Sequence, residues 1–252
     1  MEKADNPANP KNPENPENLT HPENLKGAEA AGDPVGGGAR KETVVLLHAA
    51  VVGAWSLALF GGRLAEYGFA VWNIGYPNRK LSIPDCAGHL VGEWRRIADG
   101  ARGPVHLVGH SMGGLVARRL AHLYAPRNLG RIVTFGTPHR GSPLADALHR
   151  FRGFQWLFGP AGRDLVTSRP LDWIAPWPPP CDIGFVSGSV PVGPGMFTLA
   201  PPHDGTVPLS SSRPPGGTDA VLVPATHTTI PCLSRTAGLT AAFLRSGRFK
   251  SA

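Results

Sequence analysis

Only three cysteines, Cys86, Cys181 and Cys232, occur in 252 residues. They are too few and too far apart for a disulfide framework, and no CxxC or Cys/His spacing offers a zinc site, so buried or idle thiols are expected. No apolar run approaches the ~18 residues of a membrane-spanning helix. The amino-terminal "MEKADNPANPKNPENPENLT" also lacks the uninterrupted apolar segment of a secretory signal. The expectation is a cytoplasmic protein without a transmembrane segment. A block of cations is missing too: the net charge is +7, but the excess is mostly arginine spread from Arg63 to Arg248. Without a clustered basic arm, no nucleic-acid partner is expected.

What is present divides the chain unevenly. Residues 1–40 are filled with Asn, Pro, Glu and Gly in irregular "NPEN" repeats that cannot build an apolar core, and they read as a disordered tail. Four Lys and Arg against seven Asp and Glu make this tail acidic, so it either screens the basic remainder transiently or is an inert extension. Residues 41–252 read as one α/β domain. Six short apolar runs, 43–48, 69–74, 104–109, 131–136, 182–188 and 220–225, alternate with helical patterns over 55–67, 85–99, 112–124 and 233–247. That alternation predicts a mostly parallel sheet of about six strands with helices on both faces. One interval breaks it. About 138–181 is too long for a simple crossover and rich in Phe, Trp and Pro, which fits either a lid or binding wall or a helical excursion on the sheet edge.

The chemistry centres on "GHSMG", residues 109–113. In a chain with 32 glycines the bare GxSxG pattern is weak; a strand before it and a helix after it make it a nucleophile elbow. A serine hydroxyl attacks a carbonyl only with a base to take its proton, a carboxylate to orient that base, and N–H donors for the oxyanion. In a parallel sheet the carboxyl ends of the strands share one edge, so the loops after late strands are where partners belong. "HDGTVPLSS" after 182–188 presents Asp204, and "PATHTTI" after 220–225 presents His227. Among rivals, His203 is an alternative base, His48 and His139 read as scaffold near the site, and His106 and His110 as core or spacing residues. Asp146, Asp164, Asp172, Asp182 and Asp219 compete for the acid role, but lie in the insertion or at the wrong strand end. Met112, directly after the serine, and Ala50, or failing it Ala49, in "LLHAAVVGAW" are the expected oxyanion donors.

The chain resembles the α/β-hydrolase superfamily, within the lipase-like serine esterases. "VVLLHAA", "LVGHSMGGLVAR", "TFGTPHRGSPLAD", "HDGTVPLSS" and "PATHTTI" carry the likeness, in family order, over 43 to about 249. The resemblance implies hydrolysis of a small-molecule ester or lipid through an acyl-enzyme on Ser111, His227 and Asp204, with neither metal nor organic cofactor. Acyl transfer or thioester cleavage would use the same three residues, and a non-catalytic ligand-binding relative is a third possibility. Phe151, Phe154, Trp156, Leu157 and Phe158 are candidates for an apolar acyl wall. One departure stands out: such enzymes usually have His-Gly in the oxyanion loop, and here His48 is followed by Ala49. A positive φ required at that alanine would cost about 1 kcal/mol or more.

Overall fold

Thr43–Leu47 (β1) is buried along its whole length, and its side chains alternate between two separate cores. Val44 and Leu46 pack with Leu57, Phe60 and Phe243 on one face. Val45 and Leu47 pack with Leu90, Trp94 and Leu115 on the other. The period of two in strand geometry, with both sets apolar, is what a sheet covered on both sides demands. The computed structural model describes residues 41–168, 176–178 and 180–250. The tail over 1–40, and Asp172 within the insertion, lie outside the described residues.

The remaining strands are Ala70–Ile74 (β2), Val105–His110 (β3), Leu129–Phe135 (β4), Ile183–Gly188 (β5) and Asp219–Val223 (β6). They form one six-stranded sheet in the order β2-β1-β3-β4-β5-β6, with parallel pairing throughout. β1 lies beside β3 with Leu47 opposite Gly109. The loop leaving β1 and the turn leaving β3 therefore emerge as neighbours at the carboxyl edge, where the turns after β5 and β6 also end.

Ala58–Glu66 (α1) and Ser234–Ser246 (α8) cover one face, and Ile83–Gly100 (α2) and Met112–Leu123 (α3) the other. The sequence pattern places a helix over 55–67, but its first turn, Ala54–Leu57, is a 3-10 turn. α2 shows why its segment is helical. Ser82 caps it by accepting from the Asp85 N–H at 3.2 Å, Pro84 sits in its first turn, and Ile83, Cys86, Ala87, Leu90, Trp94 and Ile97 form one buried stripe.

The described part of the insertion holds three short helices, Pro143–Leu148 (α4), Arg152–Phe158 (α5) and Ala161–Asp164 (α6). A single turn, Leu209–Ser212 (α7), follows the loop after β5. Among the described residues no helix is long and apolar enough to cross a membrane.

Candidate active site

β3 runs into α3 through Ser111, whose backbone is held at φ 54° and ψ −122°. A non-glycine residue there stores strain on the order of 1–3 kcal/mol, which persists only where the surroundings over-determine it. Here the Ser111 N–H donates to the Phe135 carbonyl at 2.8 Å, and the Ser111 carbonyl accepts from the Gly114 N–H at 3.0 Å. The two glycines of the pentapeptide let backbones meet. A Cβ on Gly109 would lie 2.4 Å from the Gly113 carbonyl oxygen, and one on Gly113 would lie 2.2 Å from that of Leu47. The serine hydroxyl does not cap α3, so the side chain is not spent on the helix.

Asp204 and His227, 23 residues apart, are brought together at the carboxyl edge. His227 Nδ1 lies 2.8 Å from Asp204 Oδ2, and the His227 N–H donates to the Asp204 carbonyl at 2.8 Å. The other carboxylate oxygen, Oδ1, accepts from the N–H groups of Thr206 at 3.0 Å and Val207 at 2.7 Å. Burial acts to raise the Asp204 pKa. The bond to His227, its charge and the two amides outweigh burial and hold it below the ordinary value. An ionised carboxylate only accepts, so Nδ1 of His227 carries the hydrogen and Nε2 is left as the basic nitrogen.

The turn after β4 joins this pair to the serine. Phe135 holds the Ser111 amide, and a Cβ on the next residue, Gly136, would stand 2.8 Å from Asp204 Oδ2 and 3.0 Å from His227 Nδ1. Gly136 has φ +51°, so both space and conformation call for glycine.

His110, read from the sequence as a core or spacing residue, also contacts the pair: its Nε2 donates to the His227 carbonyl at 2.9 Å. Burial, with the neighbouring His227 next, pushes its pKa down to about 3, so it holds that carbonyl as a neutral ring. The rival acids are engaged elsewhere. Asp146 accepts from the Thr167 N–H and hydroxyl, Asp164 from the Ile83 N–H, Asp182 from Arg131, and Asp219 from the Phe249 N–H. Among the rival histidines, His203 Nδ1 accepts the Gly205 N–H at 3.0 Å, His106 Nδ1 the Arg131 N–H at 2.8 Å, and His139 Nε2 meets the Thr134 hydroxyl at 3.0 Å. These bonds give His203 a local role in the turn that presents Asp204.

Met112 opens α3 and is fully buried. Ala50 lies in the turn after β1, the segment Met112's neighbour Gly113 packs against. The positive φ feared at Ala49 falls elsewhere: Val51, at φ 71°, and Ser111 are the non-glycine residues with positive φ among the described residues. Sequence reasoning passed over Val51, because a β-branched residue is the least expected there. It also passed over Tyr76 and Asn78, which brace this turn from the loop after β2. The Tyr76 ring stacks on His48 at 4.1 Å and 12°. Burial lowers the His48 pKa, and its neutral Nε2 accepts the Tyr76 N–H at 3.3 Å.

The aromatic residues of the insertion divide. Phe154 and Phe158 stack at 4.4 Å and pack against the core, whereas Phe151 and Trp156 are 63% and 75% exposed. Arg79 lies over the Trp156 ring at 5.0 Å. A groove of about 680 Å³ beside α5 is lined by Arg152, Gln155, Trp156, Pro160 and Arg163, and by none of Ser111, Asp204 or His227.

Residues 97–155, from α2 through β3 and α3 into α5, match the model of the PGAP1-like alpha/beta domain. A triacylglycerol lipase of Pseudarthrobacter phenanthrenivorans is 52% identical over 42 residues, which span 17% of this chain and only 13% of that protein. Among solved structures, the mature form of a Bacillus licheniformis lipase superposes with a TM-score of 0.66 at 21% identity, over 86% of this chain and 96% of the lipase chain. A metagenomic carboxyl esterase does so at 0.64 and 15% identity, over 84% and 77% of the two chains.

Proposed function

We propose that this chain, which has the α/β-hydrolase fold, is a serine hydrolase that cleaves carboxylic esters through an acyl-enzyme. The observation that carries the reading is the 2.8 Å bond between His227 Nδ1 and Asp204 Oδ2, packed against Gly136, the residue after the Phe135 whose carbonyl accepts the N–H of strained Ser111. Similarity to proteins named lipase and carboxyl esterase supports the same chemistry.

In this mechanism Ser111 Oγ bonds to the ester carbonyl carbon while its proton passes to His227 Nε2. Asp204 stabilises the imidazolium and keeps Nδ1 as the donor. The carbonyl oxygen, now carrying the negative charge, is held by the N–H groups of Met112 and Ala50, with the amino terminus of α3 adding a favourable field. The tetrahedral adduct collapses, the carbon–oxygen bond to the alcohol breaks, and the alcohol leaves with the proton from Nε2. Water then attacks the acyl-enzyme by the same route, its proton going to Nε2 and on to Ser111 Oγ as the acid departs. Each residue does a task its neighbours fit it for: strain exposes the nucleophile, and a low-pKa carboxylate fixes the tautomer of the base.

The substrate class proposed is an ester with an apolar acyl group, and the insertion over about 138–181 is proposed as a lid-like wall beside it. Phe151 and Trp156 are the exposed aromatic side chains of its helical part and are the ones proposed to meet the acyl group, while Phe154 and Phe158 serve the core. A panel of p-nitrophenyl esters from acetate to palmitate tests both levels. Turnover abolished by Ser111→Ala is expected, with longer acyl chains losing most from a Phe151→Ser, Trp156→Ser double variant. Hydrolysis unaffected by Ser111→Ala would overturn the reaction, and an unchanged chain-length profile in the double variant would overturn the wall.

A further inference from the structure

The side chain of Asn78 has no part in the reaction just described, yet it is buried and all its donor capacity is aimed at the turn that follows β1. Its Nδ2 donates to the Ala49 carbonyl at 3.1 Å and to the Val52 carbonyl at 2.6 Å. A carboxamide has two N–H hydrogens, and two carbonyls take both. Those carbonyls bracket Val51, the β-branched residue held at φ 71°. The amide is itself fixed: the Asn78 N–H donates to the Tyr76 carbonyl at 2.8 Å, and the Tyr76 hydroxyl donates to the His48 carbonyl. Three backbone carbonyls of one short turn, those of His48, Ala49 and Val52, are thus captured by "YPN" at 76–78.

Peptide geometry gives this capture a consequence. In a planar trans peptide the C=O and the following N–H point in opposite directions. The Ala49 carbonyl points at Asn78 and at the His48 ring, whose Nδ1 donates to it at 2.9 Å, so the Ala50 N–H points away from both; the Val52 carbonyl, on the far side of Val51, takes the shorter of the two Asn78 bonds. Rotating that peptide would break the bonds to Asn78 and His48, and relaxing Val51 toward negative φ would move the Val52 carbonyl off the Asn78 amide, which alone bridges the two sides of Val51.

We infer that Asn78 is a positioning residue for the reaction: by stapling the Ala49 and Val52 carbonyls across strained Val51, it holds the Ala50 N–H in place as oxyanion donor. This rests on the ester-hydrolase reading. Deleting an oxyanion donor outright costs about 100- to 1,000-fold in kcat, so freeing one to wander costs less, roughly 10- to 100-fold. Substrate binding does not use the staple, so KM stays within about threefold.

The experiment measures kcat and KM on p-nitrophenyl butyrate for the parent, Asn78→Ala, Asn78→Asp and the Val51→Gly/Asn78→Ala double variant. Rates are counted per Ser111 site titrated with a fluorophosphonate, so unfolded protein does not enter. Both single variants are expected to lose kcat, Asn78→Asp most, because its carboxylate faces two carbonyl oxygens. Glycine adopts the turn's positive φ without a staple, so the double variant is expected to regain several-fold of the kcat lost by Asn78→Ala. An active parent whose Asn78 variants keep kcat within twofold overturns this inference alone, as does a loss that falls on KM or that Val51→Gly leaves unrestored. A parent that hydrolyses no ester and takes no label at Ser111 overturns the catalytic reading and this one together.

Discussion

Asp204→Asn replaces one oxygen by an NH2 group and changes almost nothing else, so its effect follows from the hydrogen-bond pattern. Oδ1 accepts from two backbone N–H groups, at 3.0 and 2.7 Å, and Oδ2 faces His227 Nδ1 at 2.8 Å. The asparagine amide cannot sit against two N–H donors without leaving them unpaired, so its oxygen takes the Oδ1 place and its NH2 turns to His227. Nδ1 must then accept, which moves the imidazole hydrogen to Nε2, the nitrogen that receives the serine proton in the proposed mechanism. A base locked in the wrong tautomer loses about 10⁴-fold in kcat, equivalent to about 5 kcal/mol of barrier. Steady-state kinetics on a p-nitrophenyl ester, with folding checked by circular dichroism, measure it. The loss should fall on kcat and leave KM nearly unchanged. A folded variant retaining more than a tenth of the parent kcat would refute the role given to Asp204.

Gly136→Ala should cost at least tenfold in kcat and lower Tm, since its Cβ would press on Asp204 Oδ2 and His227 Nδ1 from a backbone at φ +51°. Gly92→Ala is the control: on the exposed side of α2 with nothing within 4 Å, it should stabilise by roughly 0.5–1 kcal/mol, and urea midpoints compare the two. Acid should weaken the fold well above the carboxylate range. Burial pushes the pKa of His106 down to about 4 and that of His110 to about 3, from 6.5. The unfolded chain therefore binds more protons, and the stability held above pH 6.5 is lost as pH falls toward 4, by up to about 1.4 kcal/mol per pH unit for each ring. Asp204, whose folded pKa lies below 3.8, adds its own loss only as pH falls from that value. Urea midpoints that stay level from pH 7 to 5 would contradict this.

The strands were legible because parallel strands buried on both faces are nearly continuous apolar runs, as "TVVLL" is. Their ends were less so. β4 begins at Leu129, two residues before the apolar run, because pairing with β3 reaches back through Gly130 and Arg131, and the register shifts between Val105 and Leu107 to admit them. The strained turn at Ser111 was legible because it has a local signature in flanking glycines. The meeting of Asp204 with His227 was legible because topology limits which loops reach the carboxyl edge. Contacts that span the chain left no such mark. His110 meets a carbonyl 117 residues away, and Asn78 meets carbonyls 29 and 26 residues away, so each reads locally as a core ring or a turn residue. The turn after β1 misleads in another way: the glycine usual after His48 in the resembling enzymes draws attention to Ala49, while the left-handed residue is Val51, where propensity argues against it.

If Ser111 is a nucleophile activated by His227, it reacts covalently with an organophosphorus probe. Incubation with a fluorophosphonate, followed by peptide mass analysis, measures it directly. One phosphonyl group per chain is expected on Ser111, absent in Ser111→Ala and slowed by orders of magnitude in His227→Ala. Native protein that remains unlabelled, or labelling at Ser111 that proceeds equally fast without His227, would contradict it.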